Sequence, residues 1–460
     1  MNYKQIGEKC GIIAIKQSSN VFSEIILGLH SIQHRGQEGG GIIFINDNND
    51  FFPRYIDKLV MDGFRNETIN QSDNITSAIG HVRYSTSGAK TNSCFNQPSY
   101  TTLSDNKKIA LAHNGTLINT DELYKYIKDK SDYKFVSDID SEIILPLIKI
   151  QEATDILLKI KKGLQLIKGS FALTIMHDDY MIGIRDKLGI RPLSLGKLPS
   201  GSYIFSSETA SFNTLNATLV RDVYPGEMVY IDYNNNIHSE YIFDTQKKRL
   251  CLFEYLYFAR SDSILEENNS IYETRKLIGK QLYKESPSDA DVIIPIPDSG
   301  IPTAIGYSQI SEIPMEFGIF RSQYTGRTFI EPNDKSRNIA IKLKYIINNS
   351  VIKNKNIILI DDSIVRGNTI FKIIALLKEH GANQIHIKIA SPEIKHPCIY
   401  GIDIPQKAEL ISSRLTPDEI AKKLQVASLS FIKLEGLLDV LKNKNYCTAC
   451  FNGNYHKEYL

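Results

Sequence analysis

The chain has 460 residues, enough for two or more domains, and 42% of them are hydrophobic, ample for real cores. Its 54 Lys and Arg nearly balance 52 Asp and Glu, and the charges are scattered rather than blocked, which argues against nucleic acid or a membrane surface as the main partner. No apolar run could span a bilayer and the start MNYKQIGEK is no signal peptide, so a cytoplasmic chain is expected. There the six cysteines (Cys10, Cys94, Cys251, Cys398, Cys447 and Cys450) suit a nucleophile and metal ligands better than disulfides.

Residues 10–16, CGIIAIK, predict a strand opening on Cys10. A free cysteine is most often a small buried hydrophobe. If residues 1–9 are removed, however, Cys10 carries an α-amino group of pKa roughly 8 that can take its own thiol proton, so one residue supplies nucleophile and base. A helix is expected over 22–32, then a glycine-rich turn over 34–41 before a strand at 42–45. Polar groups end three further hydrophobic segments: GHVRYSTSG at 80–88, LAHNG at 111–115 and SDIDSE at 137–142. Strands follow over 170–176, 181–185, 202–206 and 227–231, with the turn RDKLGIRP at 185–192 given no catalytic part. A domain boundary is expected near 233–236 or 245–249.

These four separated motifs resemble those of class II glutamine amidotransferases, members of the N-terminal-nucleophile hydrolases, over about residues 10–235. The resemblance implies a four-layer αββα sandwich. It implies that Cys10 attacks the side-chain amide of glutamine, while Asn114 and the backbone N–H of Gly115 hold the oxyanion. It places Arg83 on the substrate carboxylate, Asp140 on its ammonium, and Arg35 in the turn lining the site. Gly39-Gly40 and Ile139 depart from the family pattern without removing a catalytic group.

In the second half, the apolar strand over 291–297 ends at Asp298-Ser299-Gly300, a tight turn whose N–H groups suit a diphosphate. The polar, basic stretch 320–332 suits a lid, with Arg327 for phosphate oxygens and Arg337 and Lys344 continuing the positive strip. NIILI at 356–360 predicts a doubly buried strand of a parallel sheet, ended by Asp361 and Asp362. The turn 363–369 carries Ser363, Arg366, Gly367 and Thr369, and a helix follows with its stop at Gly381. Such a βαβ unit binds ligands beyond the carboxyl end of its strand, at the helix N-terminus. The turn suits a phosphate, and the two acids suit vicinal hydroxyls or a shared magnesium ion, so a sugar phosphate is expected. The ending is not the Gly-Lys-Ser/Thr of a P-loop.

This stretch closely resembles the phosphoribosyl-diphosphate (PRPP) signature of type I phosphoribosyltransferases, with Asn368 where threonine is usual. Cys447-Thr-Ala-Cys450, taken alone, leaves zinc or a redox pair open. The stretches 251–263, 396–401 and 447–453 resemble the iron–sulfur subgroup of the amidophosphoribosyltransferase family. That resemblance extends along almost the whole chain. It implies a cleaved leader over 1–9, a glutaminase domain over 10–238 and a phosphoribosyltransferase domain over 251–460. It implies one 4Fe–4S cluster on Cys251, Cys398, Cys447 and Cys450, acting as a structural staple, and Mg2+ on Ser299, Asp361 and Asp362. Glutamine, PRPP and water would give 5-phosphoribosylamine, glutamate and diphosphate, the first step of purine synthesis, with purine-nucleotide feedback and a homotetramer. Cys94 receives no role. A hexosamine synthase would lack the 356–369 loop, and a PRPP-sensing regulator would not need Cys10 and Asn114.

Overall fold

The computed structural model describes residues 10–65, 74–83, 96–137, 139–243, 248–322 and 344–456. The first half forms two antiparallel sheets. One contains β1 (Gly11–Lys16), β2 (Gly39–Asn46), β3 (Phe51–Ile56) and β4 (Ile75–Arg83). The second adds β5 (Ser99–Thr102), β6 (Lys108–Leu117), β7 (Gly169–His177) and β8 (Met181–Arg185). The chain returns to the first sheet with β9 (Ser194–Lys197), β10 (Tyr203–Ser206) and β11 (Thr218–Asp222), and closes the second with β12 (Glu227–Ile231) and β13 (Ile237–Tyr241). The orders are β11-β9-β10-β1-β4-β2-β3 and β13-β12-β8-β7-β6-β5.

Alternation along the strands builds the layers. Ile12 and Ala14 of β1, Ile79 of β4, and Ala110 and Ala112 of β6 meet between the sheets. Ile13, Ile15 and Val82 face outward onto the helix Val21–Ser31. On the other side Ile109, Leu111 and Leu173 pack under the helices Thr120–Lys130, Ile144–Lys149 and Ile156–Leu164. The expected αββα sandwich is therefore present, its small alanines letting the two sheets close on each other.

Two local expectations are corrected. The 34–41 stretch is only partly a turn: a short 3-10 turn at Gln33–Arg35 is followed by β2, which already begins at Gly39. Added side chains would stand 2.6 Å from the Ile56 carbonyl at Gly39 and 2.3 Å from that of Gln97 at Gly41, so glycine is needed for strand contact, not for a bend. The Asn234–Asn235 region turns a hairpin between β12 and β13, with Asn235 at φ 63°, rather than ending the domain. A limit at residue 238 cuts β13, which stays paired to β12 as far as Tyr241.

The second half is built on four parallel strands, Val292–Pro295, Ile357–Asp361, Ile385–Ile389 and Ser428–Phe431, adjacent in that order. Ile358 and Ile360 enter the core under the helices Ile271–Glu285 and Gly300–Ser311, whereas Ile357 and Leu359 enter the one under Asn368–Glu379 and Pro417–Leu424. Both faces being buried explains the unbroken apolar run, each such isoleucine contributing about 1.5–3 kcal/mol. Gly381, at φ 81°, follows the end of its helix as the sequence predicts. No helix among the described residues is long and apolar enough to cross a membrane.

Candidate active sites

Cys10 directly precedes β1, and strand alternation continues the face of Ile12 and Ala14, towards the second sheet. Asn114 continues the face of Ala110 and Ala112 on β6 in the same way. The two residues line one small pocket with Arg35, Arg191, Phe258 and Ile402. Asn114 is 1% exposed, and neither its amide nitrogen nor its oxygen has a hydrogen-bond partner among the described residues. An unmet buried amide costs about 1–3 kcal/mol, so this one calls for a partner beyond the described residues. Gly115 beside it has φ 155°, and a Cβ there would stand 2.0 Å from the Ser170 carbonyl of β7.

Arg35 lines this pocket, yet its guanidinium is already committed. Nε donates to the Cys10 carbonyl at 3.1 Å, and the two terminal nitrogens grip Glu254 at 2.9 and 2.8 Å, one of them also reaching Glu208. Glu208 further accepts from the Arg260 N–H at 3.0 Å and the Ser263 hydroxyl at 2.9 Å, and bonds His34 at 2.8 Å. Burial alone would raise the Glu208 carboxyl, but His34 and Arg35 hold it well below the carboxylate range. Arg35 thus fixes the backbone of Cys10 and ties it to Glu254 in the second half of the chain.

Arg83 and Asp140 are not in the pocket lining. Arg83 ends β4 opposite Gly39, at the same sheet end as Cys10. Asp140 opens the 3-10 turn Asp140–Ile143, and one of its oxygens accepts from Leu117 N–H at 2.8 Å, at the end of the strand that carries Asn114. Burial pushes Asp140 up to about 6. Burial also lowers the imidazoles of His81 and His113 to about 3, which keeps both neutral and unable to serve as acids near pH 7. Residues 1–9 and Cys94 lie outside the described residues.

Four lining or supporting groups were not anticipated from sequence. Arg191 sits in the 185–192 turn, whose Asp186 accepts from Leu188 and Ile190 N–H and so shapes it. Glu254 and Phe258 belong to a π-helical turn, Glu254–Phe258, and Ile402 to a loop far along the chain. A π-turn is rare enough to mark function, but its hydrogen bonding has no sequence signature.

The second site lies at the carboxyl ends of the parallel strands. Asp362 accepts hydroxyl bonds from Ser299, at the head of the helix Gly300–Ser311, and from Ser363 at 2.6 Å. Asp361 is buried beside it and is pushed well up, first by desolvation and then by the Asp362 charge. Gly300 packs where a Cβ would be 2.8 Å from the Ile360 carbonyl, and Gly367, at φ 86°, caps the helix Asn368–Glu379 that begins with Asn368 and Thr369. Asp298 pairs with Arg321 at 2.8 Å, and Arg366 swings away to Glu409 at 2.9 Å. Lys344 stands close enough to feel Arg321, Asp298 and Asp361, whereas Arg327 and Arg337 lie outside the described residues.

The remaining four cysteines gather in one corner of the second half. Leu250–Cys251 and Tyr446–Cys447 pair in parallel, with Cys251 directly opposite Cys447. The Cys450 carbonyl accepts from Lys395 and His396 N–H at 3.0 and 3.1 Å, which brings the Cys398 loop alongside. Burial raises all four thiols, Cys447 to about 12, and mutual charge repulsion adds to it at Cys251, Cys447 and Cys450. Among the described residues no three His, Cys, Asp or Glu converge on a single metal ion. A four-iron cluster makes a different demand, since each cysteine binds its own iron and the sulfurs stay apart. Magnesium commonly takes one or two carboxylates and completes its shell with phosphate oxygens and water. By donor type and number, the four cysteines and the Asp361–Asp362 pair are compatible with these two demands.

Fold and site define a class: a glutamine amidotransferase joined to a phosphoribosyltransferase. Residues 81–214 match the glutamine amidotransferase domain family and 260–391 the phosphoribosyl transferase domain family. An amidophosphoribosyltransferase of Methanocaldococcus jannaschii is 41% identical, covering 98% of each chain, and one of Bacillus subtilis is 37% identical over 99% of this chain and 95% of that one. The chain belongs to the amidophosphoribosyltransferase family. Its backbone matches a solved B. subtilis glutamine PRPP amidotransferase in complex with ADP and GMP, with TM-score 0.88 and 37% identity, over 97% of each chain. A structure described as the allosteric regulatory enzyme of purine biosynthesis gives 0.90 at 36% identity, over 98% of each.

Proposed function

We propose that this chain converts glutamine, PRPP and water to 5-phosphoribosylamine, glutamate and diphosphate, opening purine synthesis. The observation that carries this reading is the buried Asn114 amide, without a partner among the described residues, sharing with Cys10 a pocket that Phe258 and Ile402 of the other half help to wall. Once residues 1–9 are removed, the Cys10 amine takes the thiol proton and sulfur attacks the glutamine amide carbon. Asn114 and the Gly115 N–H receive the oxyanion, ammonia leaves, and water frees glutamate from the thioester. Arg83 and Asp140 hold the substrate carboxylate and ammonium, while Arg35 keeps the Cys10 backbone in place. Ammonia then attacks C1 of the ribose and diphosphate departs.

In the second site Asp298, Ser299 and Gly300 face the diphosphate. Ser363, Arg366, Gly367 and Thr369 take the 5-phosphate, and Arg327 closes over the site. Asp361, Asp362 and Ser299 are the residues to hold Mg2+, which when bound neutralises the leaving diphosphate. Cys251, Cys398, Cys447 and Cys450 are the ligands of a 4Fe–4S cluster that staples the C-terminal segment. Purine nucleotides act as feedback inhibitors on a homotetramer in the cytoplasm, in keeping with the ADP and GMP bound to the B. subtilis relative.

The direct test is diphosphate release from PRPP and magnesium under anaerobic conditions, with glutamine and separately with ammonia. Release with both is expected; release with neither, despite PRPP binding, removes the reading. Asn114→Ala should cut glutaminase kcat by roughly 10²–10³, with the glutamine KM changed far less, because the oxyanion exists only in the transition state. An equal effect on both would make Asn114 a binding group instead.

Asp140 sets a pH limit. Its carboxylate is charged above about pH 6 and neutral below. Glutamine carries its ammonium throughout this range, so the charge on Asp140 decides the attraction. The glutamine KM should therefore climb as pH falls from 7 to 5, and Asp140→Asn should start high and stay flat. A wild-type KM unchanged to pH 5 would take the ammonium away from Asp140.

A further inference from the structure

We propose that Glu266 is a positioning residue that sets Cys251 against Cys447, an assignment that rests on the cluster reading above. The two cysteines meet on parallel strands of two residues each, a pairing too short to fix its own register. Register must come from outside the pair, and one buried carboxylate touches both cysteine segments. Glu266, whose side chain is 7% exposed, accepts from the Tyr255 hydroxyl at 2.6 Å and from the Tyr446 hydroxyl. Tyr446 immediately precedes Cys447, and Tyr255 lies in the turn that follows Cys251. Lys248, just before Cys251, pairs with the other Glu266 oxygen at 2.8 Å. The two phenol rings meet edge to face with centroids 5.7 Å apart, so the carboxylate and the rings form one clamp.

The backbone around Glu266 serves the same end. Glu266 and Glu267 turn a short hairpin between Ile264–Leu265 and Asn269–Ser270 with φ of 53° and 68°, a conformation that residues other than glycine seldom adopt. Tyr224 of the first half holds Glu267 through a hydroxyl bond at 2.9 Å. Cys251 is itself anchored by its N–H to the Ile190 carbonyl at 3.1 Å. The cysteine corner is thus registered against the 185–192 turn that also supplies Arg191 to the Cys10 pocket. Glu266 does not line the Cys10 pocket, and its contacts run to Tyr255, Tyr446 and Lys248 rather than to the carboxylates of the second site.

The test uses the full chain purified anaerobically, as wild type, Glu266→Ala, Glu266→Gln and the double variant Tyr255→Phe/Tyr446→Phe. Iron and sulfide content and visible absorbance are recorded, and the alkylation rate of each cysteine is read by peptide mapping. Glu266→Ala and the double variant should raise alkylation of Cys251 and Cys447 roughly tenfold or more, the effect of losing charge-assisted hydrogen bonds from a local opening equilibrium. Cys10 should react as in wild type, Tm should stay close to it, and Glu266→Gln should fall between. Unchanged alkylation of Cys251 and Cys447 in both variants overturns the assignment. If Glu266→Ala does not fold, the double variant, which loses two hydroxyls only, decides. A wild-type chain without iron or sulfide removes the cluster reading alone, and the alkylation comparison still decides Glu266.

Discussion

Replacing Cys10 by alanine lowers glutamine-dependent diphosphate release by roughly 10³-fold or more, as loss of a covalent nucleophile does, and leaves the ammonia-dependent reaction close to wild type. The asymmetry follows from where the residue sits. Cys10 is 2% exposed, packed at the end of β1 between two sheets, and the carboxylates of the second site belong to a different sheet. Alanine fits the same space, and the Arg35 bond goes to the Cys10 carbonyl, which alanine keeps. The fold around the pocket should therefore survive, with only the sulfur missing. Steady-state rates with each nitrogen donor decide it. Equal loss with glutamine and ammonia would mean that the two chemistries share a site, which the two-site scheme forbids.

Replacing Asp361 by asparagine has the opposite pattern: activity falls with both nitrogen donors, by roughly 10² or more as for loss of a preorganised charged group, while the metal-free protein becomes more stable. Asp361 is buried against Asp362, and its carboxyl is pushed well above its ordinary range. A group whose folded pKa is raised penalises the folded state whenever it is ionised. The penalty is absent below the unfolded pKa, grows as pH rises from there to the folded pKa, and is complete above it. Asparagine keeps the shape and removes both the buried charge and its repulsion from Asp362. In the proposed reading function needs that unfavourable charge, because two carboxylates at a strand end suit magnesium and ribose hydroxyls. Thermal melts with and without magnesium and PRPP supply the check. The wild type should gain stability from the ligands and the variant should not; a variant that melts lower without ligand would place Asp361 in a structural role.

The candidate site residues were legible in the sequence because they stand at ends of apolar strands. Cys10, Asn114, Asp361 and Ser299 all interrupt or terminate hydrophobic runs, and the period of each run assigns its strand type. The doubly buried strand Ile357–Asp361 could be read from its isoleucines alone. Local exceptions came where glycine had two uses. Gly39 and Gly41 look like a turn, and only the carbonyls of Ile56 and Gln97 pressing on them show that they lie in a strand.

The sequence by itself determined the two folding units and the apolar strands at whose ends the candidate residues stand, since each depends on residue type at short spacing; the roles proposed for Cys10, Asn114, the Asp361–Asp362 pair and the four cysteines came with the family resemblance. Tertiary structure decided what surrounds them. Arg35 lines the pocket as expected and is also a brace between Cys10 and Glu254, because its partners Glu208 and Glu254 lie 173 and 219 residues away in the chain. Phe258, Ile402 and Glu266 gained their places in the same way. Contacts of that range are set by how two domains close on each other, and no local pattern of polar and apolar residues encodes which carboxylate a buried guanidinium will meet.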